Sequence, residues 1–234
     1  MIEDINNELC IKFLGNWEHP LTKKFDVKTA FFKSLALDFK LPNSIRYMEG
    51  LSGKKYRYLI NNLIESVDNA RYLEIGSWIG STACSAMYGN KCRVTCIEDW
   101  SMDRVARDRF INNVMLAQHN NVNFQLIEKD FRTIDYNRIN RYNIYMFDGP
   151  HEEIDQYDGV VISQPALDDD YLLIVDDWNY TRVQDGTKKA IKDLNLDMVA
   201  SLEITSRSDN QGGKIGSEFS DWHNGYLFAI IKKG

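Results

Sequence analysis

The sequence predicts an α/β domain built on a doubly wound, mostly parallel sheet of seven strands, the last of them antiparallel. From about residue 71, short apolar runs rich in β-branched residues alternate with stretches that can form helices. This alternation is the pattern of parallel strands joined by crossover helices. A length of 234 residues suits one such domain, and the apolar fraction of 44% and charged fraction of 26% are those of an ordinary globular chain.

The seven predicted strands are short apolar runs separated by polar or helical stretches. They cover residues 72–75, 93–97, 123–127, 143–147, 171–175, 198–204 and 226–231. Between the first five lie 82–88, 103–119, 131–141 and 152–167, each able to carry a helix or one helical turn. The last two strands are joined by residues 205–225, a polar stretch without helical periodicity, which indicates an antiparallel connection. That stretch is either a cap over an active site or a plain surface loop.

The first 70 residues carry two predicted helices, 28–38 and 54–67. In the second helix, apolar side chains four residues apart would share one face and pack on the sheet. We therefore divide the chain into an N-terminal helical extension, residues 1–50, and a main domain, residues 51–234. The extension is expected to cap the substrate site or an oligomer interface, so a homo-oligomer is one expectation.

The net charge and the hydropathy of the chain limit the kinds of partner that we expect. A net charge of -6 and a pI near 5.3 make the surface as a whole repel phosphate backbones, so we expect no nucleic-acid partner. No run approaches the ~20 apolar residues of a membrane span, and the first eight residues are acidic and polar. We therefore expect no membrane association and a cytoplasmic location.

A glycine turn follows the first main-domain strand. Gly76 and Gly80 allow a sharp turn and close approach of a ligand, and Ser81 or Thr82 can cap the next helix. In a doubly wound sheet, this first strand-to-helix turn is the usual position of a bound nucleotide. The same glycines would also suit an ordinary structural turn.

Two acidic residues narrow the choice of ligand. Glu74, directly before the glycine turn, would repel the pyrophosphate of a dinucleotide and favour a cationic group instead. Glu98 ends the second strand, at the position of an acidic residue that accepts hydrogen bonds from ribose hydroxyls. The ammonium group and ribose of S-adenosylmethionine match this pair.

The segment Glu74-Ile-Gly-Ser-Trp-Ile-Gly-Ser-Thr82 resembles the first motif of class I S-adenosylmethionine-dependent methyltransferases, in particular their small-molecule O-methyltransferase branch. The resemblance covers about residues 50–232 and implies a Rossmann-like methyltransferase fold. It also implies that residues at the third strand end contact adenine, although Asp130 equally suits a helix N-cap. The cofactor residues expected on these grounds are Glu74, Gly76, Ser77, Gly80, Ser81, Thr82, Glu98, Asp99, Asp130 and Phe131.

Three carboxylates end the next two strands. Asp148 follows the fourth strand, and Asp176 and Asp177 follow the fifth. If these strands are neighbours, their ends lie ~5 Å apart and the carboxylates converge. Their negative charges then require a raised pKa, a bound cation such as Mg²⁺, or side chains turned away as helix caps. The residues alone leave these possibilities open.

The Asp-Gly-x-His turn followed by an Asp-Asp pair resembles the metal-dependent, macrocin-type O-methyltransferases. The resemblance implies that Asp148, Asp176 and Asp177 bind a divalent cation, with Asp148 also serving catalysis. It further implies that His151 is the general base, because a substrate hydroxyl is a poor nucleophile until its proton is removed. Pro150 departs from the family pattern and could aim the imidazole differently.

The sequence thus predicts an enzyme that transfers a methyl group from S-adenosylmethionine to a hydroxyl of a small polar acceptor, such as a sugar, assisted by Mg²⁺. Two alternatives stay open. One is an NAD-dependent oxidoreductase on a similar sheet, and the other is a catalytically silent methyltransferase-like binding module.

Overall fold

A mixed β-sheet crosses the protein, and the computed structural model describes residues 9–38, 40–207, 210 and 221–234 of the chain. The described strands are β1 (Cys10–Gly15), β2 (Arg71–Ile75), β3 (Cys92–Ile97), β4 (Val122–Ile127), β5 (Tyr142–Phe147), β6 (Leu167–Asp176), β7 (Asp197–Thr205) and β8 (Tyr226–Lys232). They form one sheet in the order β1-β7-β8-β6-β5-β2-β3-β4.

The five strands from β6 to β4 are parallel, and β8 runs antiparallel between β6 and β7. The predicted doubly wound sheet and its antiparallel final strand are confirmed. The register aligns Ile75 of β2 with Phe147 of β5, and Phe147 with Val175 of β6. The carboxyl ends of β2, β5 and β6 are therefore adjacent, and the loops that follow them meet at one edge of the sheet.

Helices cover both faces of the sheet. They are α1 (Leu21–Lys24), α2 (Val27–Leu35), α3 (Asn43–Arg46), α4 (Lys54–Ser66), α5 (Ser81–Met87), α6 (Ala106–Ala117), α7 (Glu153–Ile162) and α8 (Thr181–Asp193). Apolar residues of α2, α4, α5 and α6 share one core with the sheet, and those of α7 and α8 share a second. The central strands are buried on both sides, as a parallel sheet between two helical layers requires.

The structure also departs from several details of the prediction. Strand β1 lies within the N-terminal range expected to be helical and pairs with β7, so the described sheet has eight strands, one more than predicted. Helix α8 was not predicted, although Val183, Thr187 and Ala190 form its buried stripe. Within 131–141 only a 3₁₀ turn, Phe131–Thr133, forms. The predicted cap at 205–225 lies largely outside the described residues, at 208, 209 and 211–220.

None of the helices in the described part of the chain is both long and apolar enough to cross a bilayer.

Candidate cofactor and acceptor site

The glycine turn after β2 is pinned to the neighbouring strands by backbone hydrogen bonds. The Gly76 N–H donates to the Ile97 carbonyl at the end of β3, and the Asp148 N–H donates to the Ile75 carbonyl. Gly76 has φ +83°, and a Cβ at this position would collide with the backbone of Asp148. Glycine adopts this positive φ without strain and has no Cβ to collide with Asp148. The turn can therefore hold the end of β2 against Asp148, just after β5.

Glu74 lies directly beneath this turn with 1% of its surface exposed. Its Oε2 accepts a 2.5 Å hydrogen bond from the Tyr72 hydroxyl. Burial raises the pKa of Glu74 to about 7, against the opposing effect of the Tyr72 hydrogen bond. Contact with the Ser77 side chain also opposes this rise in pKa. Apart from that contact, the second oxygen of Glu74, Oε1, and Ser77 Oγ are buried without a hydrogen-bond partner within the described chain.

Glu98 holds two loops together. Its Oε2 accepts the Trp78 N–H and its Oε1 accepts the Trp100 N–H, both at 2.8 Å. Trp78 and Trp100 have positive φ angles of 44° and 48°, and the Trp100 indole N–H donates to the Trp78 carbonyl. Because a carboxylate oxygen can accept more than one hydrogen bond, Glu98 retains capacity for a ligand hydroxyl. The Trp100 ring packs edge-on against Phe110 of α6.

The remaining predicted cofactor residues fall into two groups. Ser81 and Thr82 form the buried first turn of α5, directly after Gly80. The second group follows the ends of β3 (Asp99) and β4 (Asp130 and Phe131). Both aspartates are exposed: Asp99 accepts the N–H of Ser101, and Asp130 accepts the N–H of Arg132. Asp130 is therefore the cap of the following turn, and Phe131 packs against Phe147 in the core. Contact of Asp130 or Phe131 with adenine stays a prediction.

His151 bridges the ends of β5 and β6. Its Nε2 lies 3.3 Å from Asp148 Oδ1, and its Nδ1 lies 3.0 Å from Asp177 Oδ2. The Arg182 side chain donates to the His151 carbonyl at 2.9 Å, which fixes the backbone of this turn. Pro150 thus leaves the imidazole aimed at the acidic pair.

Removal from water, the negative charge of Asp177 and that of Glu74 raise the pKa of Asp148 well above its usual range. About 30% of the Asp148 side chain is still exposed to solvent at the strand ends. The pKa of Asp176 is raised by burial and by the charges of Asp148 and Asp177, while its Oδ1 accepts the Asp177 N–H at 2.7 Å.

Candidate metal ligands form two groups that share Asp177. One comprises Asp148, His151 and Asp177, and the other Asp176, Asp177 and His223; within each, the potential ligand atoms lie within 4.8 Å of one another. The three predicted aspartates are therefore split between the groups, and a histidine completes each. Sequence analysis assigned no role to His223, which lies just before Tyr226 of β8, the residue that pairs with Asp176 of β6.

Sequence reasoning missed two further residues at this edge, the partly buried Asn224 and the buried Arg57. Asn224 donates a 2.6 Å hydrogen bond to Asp177 Oδ1 and orients that carboxylate. Arg57 of α4 is fully buried beneath the loop that precedes the helix. Neither belongs to a motif, and no local signal in the sequence singles them out.

Similarity to known proteins is found in the fold and not in the sequence. No protein-family model matches the sequence, and no curated protein matches it either. TrmN from Thermus thermophilus is structurally similar, with a TM-score of 0.54, 10% identity, and coverage of 81% of this chain and 52% of TrmN. This chain therefore spans about half the length of TrmN.

Two other solved structures match over nearly their whole length. The O-methyltransferase TomG from Streptomyces achromogenes, involved in tomaymycin synthesis and crystallised with S-adenosylmethionine, gives a TM-score of 0.51 at 14% identity over 89% of both chains. The methyltransferase PaMTH1 from Podospora anserina, bound to S-adenosylhomocysteine, gives 0.55 at 9% identity over 89% of this chain and 87% of PaMTH1. The chain thus has the Rossmann-like α/β fold of the class I methyltransferases.

Proposed function

We propose that this protein is an S-adenosylmethionine-dependent methyltransferase that acts on a hydroxyl of a small polar acceptor, such as a sugar, with the help of a divalent cation. The observation that carries the proposal is a pair of neighbouring buried polar atoms beside the glycine turn, Glu74 Oε1 and Ser77 Oγ, for which the described chain offers no partner other than the contact between these two side chains. Buried polar groups nearly always have partners, so these two indicate a ligand.

The polar atoms at this turn fit the methyl donor. Glu74 Oε1 can accept from an ammonium group, and Glu98 can accept from ribose hydroxyls in addition to the two backbone groups that it already holds. S-adenosylmethionine supplies an electrophilic methyl group on a sulfonium. A carboxylate at Glu74 disfavours the pyrophosphate of NAD, which argues against an oxidoreductase.

The acceptor side is formed by His151 and the aspartates. His151 Nε2 can accept the proton of an acceptor hydroxyl that takes the place of its longer, 3.3 Å contact with Asp148, while Asp177, 3.0 Å from Nδ1, stabilises the resulting positive charge. The carboxylate oxygens of Asp148, Asp176 and Asp177 would hold a divalent cation such as Mg²⁺, which leaves His151 as the base. Bound there, the cation would lower the pKa of the acceptor hydroxyl.

The methyl donor is tested by calorimetric titration with S-adenosylhomocysteine and with NADH. Binding of S-adenosylhomocysteine in the micromolar range without binding of NADH is expected, and the Glu74→Gln variant should lose most of that affinity. The exposed Glu18→Gln change is the matched control, because it removes the same charge away from the cleft. Binding of NADH alone would refute the proposal and favour the oxidoreductase.

The acceptor is tested by methyl transfer from labelled S-adenosylmethionine to a panel of glycosides and phenols, with bulk tRNA as a comparison. Label should pass to a hydroxyl compound, fall on treatment with EDTA and return with Mg²⁺. Transfer to tRNA alone would overturn the small-molecule assignment while keeping the methyltransferase. Binding of S-adenosylhomocysteine without transfer to any acceptor would favour a silent binding module.

A further inference from the structure

A cavity of about 170 Å³ lies between α8 and strands β7 and β8, on the face of the sheet that α7 and α8 cover. Its surface is almost entirely apolar. The apolar side chains that line it come from the loop after β6, from α8, from β7 and from β8: Trp178, Ile191, Met198 and Leu227. Such a surface offers water few hydrogen-bond partners, so the cavity suits an apolar group better than ordered water.

The strand register explains why these side chains share one space. Met198 of β7 lies opposite Ile231 of β8, and Glu203 lies opposite Leu227. Residues directly opposite each other on neighbouring strands share a face, and Leu227 and Ile231 belong to the core beneath α8. Met198 is nevertheless 39% exposed. Helix α8 therefore covers β7 incompletely, and the cavity is the space that remains.

Two lysines of α8, four residues apart, also line the cavity. Lys188 and Lys192 are exposed, so they contribute their hydrocarbon stems to the apolar surface and hold their ammonium groups in solvent at its mouth. The Lys188 Nζ lies 5.4 Å from the centre of the Trp178 ring. Neither lysine forms an ion pair in the described part of the chain. Like charges at this spacing on a helix repel each other, and an anion between them would relieve that repulsion.

Among the described residues that line the cavity, Glu203 alone is acidic. Lys12 of β1 lies directly opposite Glu203 in the strand register, so a third lysine offsets this negative charge. Lys188 and Lys192 therefore give the mouth of the cavity a net positive charge. That charge favours a ligand with a negatively charged group.

The volume sets the size of the apolar part of the ligand. An apolar cavity of about 150 Å³ binds benzene, so this one has room for a single aromatic ring with a small substituent. The ring would pack against Trp178, and a carboxylate on the substituent would lie between the ammonium groups of Lys188 and Lys192.

We infer that this cavity binds a small aromatic carboxylate. None of the described residues that line it belongs to the candidate cofactor or metal groups. The inference thus concerns a second site and does not depend on the proposed function.

The test follows the indole N–H signal of Trp178 by NMR, with Trp178→Phe to assign it. Phenylacetate should shift this signal in a saturable manner, whereas acetate, which lacks the ring, should not. The neutral analogue phenethyl alcohol should bind about fivefold more weakly, the effect expected for the loss of two exposed ion pairs. Excess S-adenosylhomocysteine should leave the affinity for phenylacetate unchanged, because the cavity lies apart from the methyl-donor site.

Replacing both lysines at the mouth, Lys188→Gln with Lys192→Gln, should abolish the preference for phenylacetate over phenethyl alcohol. The matched control removes two lysines outside the cavity, Lys33→Gln on α2 with Lys189→Gln on α8, and should keep the preference. All four lysines are exposed, so both double variants should fold.

The inference is overturned if phenylacetate causes no saturable shift of the Trp178 signal, or if the unchanged protein binds both ring compounds equally. Loss of the preference in both double variants would show a general effect of net charge and would also overturn it. Competition between phenylacetate and S-adenosylhomocysteine would move the aromatic acid to the methyl-donor site and overturn the assignment of a second site.

Discussion

Replacing Glu74 with glutamine should stabilise the ligand-free protein at alkaline pH while removing cofactor binding. Glu74 is 1% exposed, and burial raises its pKa to about 7 from the ordinary value of 4.5. Between these values the folded protein keeps the proton that the unfolded chain has lost. The contribution of this group to the free energy of unfolding is therefore greatest below pH 4.5 and decreases as the pH rises to about 7.

The size of the effect follows from that shift. At ~1.4 kcal/mol per pKa unit, the full loss is about 3 kcal/mol, and about 2 kcal/mol of it falls between pH 5.5 and pH 8. Glutamine carries no charge and can still accept the Tyr72 hydrogen bond. The variant should thus gain about 2 kcal/mol over the unchanged protein between these pH values, or roughly 4–8 °C in Tm.

The assay is thermal and urea unfolding of the ligand-free proteins at pH 5.5 and pH 8, with Glu18→Gln as the exposed control. The control should track the unchanged protein at both pH values. The reasoning is that burial of the Glu74 charge destabilises the folded protein. It would be refuted if the stability advantage of Glu74→Gln did not change with pH, or if the variant were less stable than the unchanged protein at pH 8.

Affinity for S-adenosylhomocysteine should rise up to about tenfold per pH unit between pH 5.5 and pH 7 and then level off, because the ammonium requires the ionised form of Glu74; a flat profile in calorimetry would contradict this. His151→Gln should lower kcat about 10²-fold or more with unchanged S-adenosylhomocysteine affinity, as measured by steady-state kinetics and calorimetry; equal losses in both would mean a structural role. Gly76→Ala should cost several kcal/mol in urea unfolding, about 3 or more, because the added Cβ meets the Asp148 backbone at a positive φ; a cost below ~1 kcal/mol would show that the turn can relax.

The fold was largely predictable because its signals are local. Apolar runs of strand length, separated by polar or helical stretches, mark β2 to β6 by their own periodicity, and every one of the seven predicted strands is present. Strand β1 escaped prediction because it forms only by pairing with β7, almost 190 residues later in the chain. Helix α8 carries a local signal in its buried stripe and could have been found.

The site residues at the strand ends could be predicted from the sequence, whereas the contacts made by the loops could not. Glu74, Asp148 and Asp176 each lie within one residue of the end of a recognisable strand, so the order of the strands was enough to bring them to one edge. The sequence could not indicate that Glu98 accepts two backbone N–H groups, or that His223 joins Asp176 and Asp177. Those contacts depend on where separate loops meet.

The sequence by itself determined the sheet and the chemical types at its edge: carboxylates, glycines and one histidine beside a strand end. Only the tertiary structure decided which of these groups lack a partner and where buried charges lie. Arg57 is the clearest case, since its five hydrogen-bond partners include four backbone carbonyls, which look the same in every residue of a sequence. Periodicity determines where strands and helices form, whereas the state of a buried charge depends on the groups that surround it in three dimensions.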